Sequence, residues 1–102
     1  MYEVKIIEDA EEIENIISQH ATSFVANTAR KQLKCGHSCL VEIKSWFFYH
    51  LQDMGSNLFF AEVADIMKKE FGVNYKNYWF LNVTLPKRPA EPVVYVVLNK
   101  NM

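Results

Sequence analysis

The sequence predicts an α+β domain, in the order strand, three helices and a C-terminal strand pair, on three observations. Apolar and polar residues alternate at the N-terminus and again from Trp79, the spacing of a half-covered strand. The segment between carries helical spacing, with capping residues ahead of each stretch and Gly36, Gly55 and Gly72 behind. Pro86, Pro89 and Pro92 fall within one short connection, and the run after it is rich in β-branched residues.

Tyr2, Val4 and Ile6 alternate with Glu3 and Lys5, which gives the first strand. Asp9 with Glu12 has the form of a capping box, and Ile13, Ile16, Ile17, Ala21 and Phe24 follow at helical spacing. Acids at the start of this stretch, and Arg30, Lys31 and Lys34 near its end, match the helix dipole along a single helix from about Ala10 to about Cys35. Ser18, Thr22, Ser23 and Thr28 are the points where it would bend or break. The second helix is placed from a Ser38 cap to Met54, with Leu40, Ile43, Phe47, Leu51 and Met54 inward. A rival reading makes Cys39, Val41 and Ile43 one face of a short strand, with a shorter helix from about Ser45. Asn57 is the expected cap of a third helix, in which Phe60, Val63, Ala64, Met67 and Phe71 face the core. Trp79, Leu81, Val83 and Leu85 then form one face of a strand, Pro86 to Pro92 a connection, and Val93 to Leu98 a strand covered on both sides. Joined with least apolar exposure, these elements give a three-stranded, mostly antiparallel sheet against helices, with the last strand between its hairpin partner and the N-terminal strand.

A length of 102 residues suits one domain, 1–102, because smaller pieces would lack a core. Half the residues are hydrophobic, which argues against disorder. The formal net charge of -1 supplies no overall field toward nucleic acid or an anionic membrane. No apolar run is long enough to span a bilayer, and two cysteines suit a reducing compartment, so the expected location is cytoplasmic.

Cys35-Gly36-His37-Ser38-Cys39 has zinc-ligand spacing, and His20 or His50 would have to complete a tetrahedron. Without a second paired half-site, the segment reads instead as a turn with small buried thiols, and no cofactor is expected. His37 beside Cys39 lacks an orienting acid or an oxyanion donor, so no catalytic residue is assigned. Trp46, Phe47, Phe48 and Tyr49 cover a whole helical turn, so at least one ring points away from any single packing surface. Trp46 and Tyr49, with Tyr75 and Tyr78 farther along, are the candidate aromatic anchors for a partner. Glu8, Glu11, Glu12 and Glu14 form an acidic end that complements a helix dipole and offers a second candidate contact.

These features lead to a non-enzymatic domain that binds a protein partner, as an inhibitor or adaptor. Phage-encoded accessory proteins and other small inhibitors share that manner of working by surface complementarity, an analogy of class alone. A homodimer stays open. The alternative rests on element order: two helices joined by Met54-Gly55-Ser56-Asn57 and followed by a hairpin with a basic tip resemble a winged helix. That resemblance implies nucleic-acid binding through Lys68, Lys69, Lys76, Lys87 and Arg88. Glu62, Asp65 and Glu70 on the same third helix would repel phosphate. A zinc or thiol protein centred on Cys35, His37 and Cys39 ranks third.

Overall fold

In the computed structural model, which describes residues 2–82 and 84–99, the chain runs β1 (Glu3–Ile7), α1 (Ala10–His20), α2 (Ser23–Lys34), β2 (Ser38–Lys44), α3 (Phe47–Met54), α4 (Ser56–Phe71), β3 (Tyr78–Phe80) and β4 (Val93–Asn99). Among those residues the strands form one antiparallel sheet in the order β1-β2-β4-β3. The α+β class is therefore as read from sequence, whereas the sheet has a fourth strand and a different order.

That extra strand is β2, placed in a helix by the favoured sequence reading and in a strand by its rival. Six of its seven residues are buried, because β1 and β4 flank it and helices cover both of its faces. Leu40 is buried on the face it shares with Glu42 and Lys44, which blurs the polar half of the alternation, and Leu40, Ile43 and Phe47 then also fit helical spacing. Once β2 exists, β4 pairs with it along its full length and β1 moves outward to an edge.

Alternate residues of the strands feed two cores. On one face Val41, Ile43, Val94 and Val96 meet Phe48 and Leu51 of α3 and Val63 and Met67 of α4. On the other, Leu40, Tyr95 and Val97 meet Ile16 and Ile17 of α1 and Ala26 and Ala29 of α2. The sheet is thus the middle of three layers. It is this double cover, with β2 inside it, that separates the structure from a winged helix.

The expected single helix from Ala10 to Cys35 is two helices. Twenty-six residues in one piece would reach about 39 Å, beyond the longest extent of the molecule at 37 Å. Ala21 and Thr22 take extended backbone angles, and Thr22 restarts the chain as α2. The break lets both short helices press on the same sheet face. At the start of α1, Asp9 caps as expected, its carboxylate accepting from the Glu12 N–H at 3.2 Å.

Between α3 and α4 the cap is Gly55 rather than Asn57. Its φ of 141° closes one helix and opens the next within a single residue, a backbone angle that side chains other than hydrogen avoid. Along α4 the buried residues are Phe59, Val63, Ile66 and Met67, with Phe60 exposed, so the inward face is turned by about one residue from the expected one. Phe60 is edge-on to Phe80, which gives its ring a partner at the layer's rim.

The strand expected from Trp79 to Leu85 stops at Phe80, and Val83 lies outside the described residues. Asn82 explains the stop. Its side-chain Oδ1 accepts the Tyr95 N–H at 2.8 Å, and its Nδ2 donates to the carbonyls of Val93 and Thr84, both at 3.3 Å. One buried amide side chain replaces the backbone of a longer β3, and the chain turns away into the proline connection.

Candidate protein-binding surface

Helix α3 is eight residues long and pinned to its layer by three of them, Phe48, Tyr49 and Leu51. Phe48 is fully buried, and its ring meets Phe59 of α4 edge-on at 5.2 Å. Ser45 sets the start: its Oγ accepts the Phe47 N–H at 3.3 Å, and its carbonyl accepts the Phe48 N–H at 3.0 Å. With Phe48 and Tyr49 turned inward, 100° per residue places Trp46, Phe47, His50, Asp53 and Met54 on the outward arc.

That arc is apolar. Trp46 is 56% exposed, Phe47 47% and Met54 60%, and Leu58 at the start of α4 is exposed as well. The Phe47 and His50 rings stack at 5.3 Å, so the stripe is continuous over one turn. Asp53 supplies the arc's negative charge, and Arg88 meets it at 2.7 Å. The same guanidinium lies 4.6 Å from the centre of the Tyr49 ring, and the Tyr49 hydroxyl donates to the carbonyls of Pro86 and Ala90. The proline connection is therefore strapped against α3, and Arg88 is engaged there.

Of the four aromatic anchors expected from sequence, two are open and two are not. Trp46 and Tyr75 are exposed; Tyr49 and Tyr78 are buried in the α3–α4 core, where a partner does not reach their rings. Burial raises the Tyr78 hydroxyl pKa above the ordinary phenol value. Tyr75 stands on the turn before β3, apart in sequence from the α3 stripe. Phe47 and Met54, assigned to the core from sequence, are outward instead. The rival reading, with Cys39, Val41 and Ile43 on one face of a strand and a fresh helix from about Ser45, carries the signal for this outward face, because the new start changes the helical phase.

The acidic end is partly committed to internal pairs. Glu14 holds Arg30 of α2 through both carboxylate oxygens, and Glu12 lies 3.8 Å from Lys5. The Arg30 guanidinium holds the Glu14 carboxyl below its ordinary pKa. Glu8 and Glu11 are exposed. Among the basic candidates, Lys68 and Lys69 share a surface depression with Glu62 and Asp65, so that ground is mixed in sign. Lys76 and Lys87 are exposed on separate loops.

Cys35 is exposed and Cys39 is buried in the α3–α4 core, and no group of three or more metal-ligating side chains occurs among the described residues. Native protein should therefore consume one equivalent of a thiol reagent quickly, through Cys35. The second equivalent should follow only on unfolding; rapid reaction of both thiols would place Cys39 elsewhere.

On the far side of the sheet, a cleft of about 540 Å³ lies between the α1–α2 break and the segment after β3, lined in part by Gln19, His20, Thr22, Thr84 and Pro86. His20 tilts over the Tyr95 ring at 5.0 Å, and the Tyr95 hydroxyl donates to buried Glu42 at 3.1 Å. Burial, then the Glu42 charge, raises the Tyr95 pKa, so this hydroxyl is held as a donor. Burial lowers the His20 pKa, which favours the neutral ring in the fold. Stability from that shift is complete above the ordinary histidine value of about 6.5 and is lost as pH falls through the lower folded value. The unfolding midpoint should fall on acidification across this range, and His20→Gln should flatten the decline; an unchanged profile would refute the assignment.

Neither a family model, a curated protein nor a solved structure matches this chain. Its surface chemistry is thus the basis for a functional reading. Among the described residues, no helix is long and apolar enough to cross a membrane.

Proposed function

We propose that this chain is a small, non-enzymatic, cytoplasmic protein-binding domain that acts as an inhibitor or adaptor through the outer face of α3. One observation carries the reading: Trp46, Phe47, His50 and Met54 occupy the exposed arc of a helix, and the arc's acid is already paired with Arg88. Outward helix faces are ordinarily polar, and contiguous apolar exposure marks a contact surface. The partner that fits is a protein with a largely uncharged apolar groove, able to receive aromatic and methionine side chains as anchors. Nucleic acid fits this face poorly, because Arg88 is held by Asp53 and the rest of the arc carries no cation. Two cysteines outside any disulfide suit a reducing compartment.

The test begins with affinity capture from the native host, followed by purification of the captured protein and titration against the chain. Phe47→Glu combined with Met54→Lys should weaken that complex roughly 100-fold or more while leaving the thermal midpoint near the parent value. Glu11→Lys with Glu14→Lys should leave it within a few-fold. A reconstituted complex indifferent to the α3 pair would refute the proposal.

A further inference from the structure

Strand β1 lies at one edge of the sheet and pairs only with β2 among the described residues. The opposite edge, β3, is three residues long and leads into the proline connection, an ordinary way of blunting an edge. β1 is five residues long and leaves Ile6 44% exposed. Its unpaired backbone is a template for another strand.

The charges on β1 select which strand. Across the β1–β2 ladder Glu3 faces Lys44 and Lys5 faces Glu42, so the signs alternate both along and across the strands. A strand added outside β1 continues that alternation if it sets a lysine against Glu3 and a glutamate against Lys5. β1 of a second copy meets this requirement. When two antiparallel β1 strands are centred Val4 on Val4, Glu3 of each falls opposite Lys5 of the other. On the reverse face the same register sets Tyr2 opposite Ile6, an aromatic and β-branched pair that covers the exposed isoleucine. Centring on Glu3 or on Lys5 instead brings like charges together, and a slip by one residue exchanges the faces.

We infer that the chain forms a two-fold homodimer through β1, with Val4 at the axis and the two sheets continuous across it. The contact is isologous and its strand ladder is short, which places it in the weak, reversible class of association. It is independent of the α3 face and does not use its residues.

Sedimentation equilibrium of the intact chain over about 1–500 μM should show a monomer–dimer equilibrium. Glu3→Lys and Lys5→Glu should each weaken it roughly 10-fold or more, since every charge pair at the axis becomes repulsive. An equimolar mixture of the E3K and K5E chains should associate as a heterodimer, and the double variant E3K/K5E should regain self-association. Because both residues also face β2, circular dichroism and thermal melts accompany each variant. Hydrogen exchange of the unaltered protein supplies a readout free of substitution: protection of the β1 amides should rise with concentration. A parent that stays monomeric, a dimer unaffected by both reversals, or β1 protection independent of concentration would overturn the inference.

Discussion

Phe48→Ala should destabilise the fold by about 3–5 kcal/mol, the usual cost of emptying a large aromatic site in a packed core. Phe48 is fully buried and belongs to the same core as β2 and β4, with Phe59 of α4 edge-on against it. Truncation leaves a void among rigid strand residues that cannot collapse into it. For a domain of this size the loss corresponds to a fall of roughly 15–30 °C in the thermal midpoint. Urea unfolding followed by far-ultraviolet circular dichroism checks it. Phe47→Ala, one residue away on the open arc, should shift the urea midpoint little. If the two substitutions cost the same, α3 is not oriented as described.

The second large effect is expected at Asn82. Asn82→Ala removes the acceptor for the Tyr95 N–H and the donor to the carbonyls of Val93 and Thr84, all beside the central strand β4. Leaving buried backbone groups without partners should cost about 2–4 kcal/mol. Asn82→Asp retains the acceptor for Tyr95 but turns an oxygen toward the two carbonyls, so it should also destabilise. Denaturant melts of both variants provide the comparison. Parent-like stability in Asn82→Asp would mean that the contacts to Val93 and Thr84 contribute nothing.

Legibility in the sequence followed the number of faces each element buries. β1 could be read because one of its faces is largely open, and its alternation survives. The helical repeat of α4 is legible, but its phase is not fixed by hydrophobicity alone, because Phe60 is as apolar as Phe59 and only Phe59 is buried. β2 is ambiguous: both of its faces are covered, buried Leu40 sits on the face of Glu42 and Lys44, and the residues fit helical spacing as well as a strand. That single ambiguity moved the start of α3, and the start of α3 decides which aromatics face out. Hence of the two α3 anchors expected from sequence Trp46 is exposed and Tyr49 buried, while Phe47 and Met54, expected in the core, are open. The end of β3 was hidden for a different reason. Asn82 in a strand looks like a solvent-facing polar residue, and only the fold shows its amide completing the ladder.

Photo-crosslinking from defined positions in the native host distinguishes the α3 face from every other candidate surface. A benzophenone side chain placed at Phe47 or at Met54 should attach the same single protein, whereas one placed at Tyr75, Glu11 or Lys87 should not. Adducts formed from Tyr75, Glu11 or Lys87, with none from Phe47 and Met54, would contradict the assignment of α3 as the partner-binding surface.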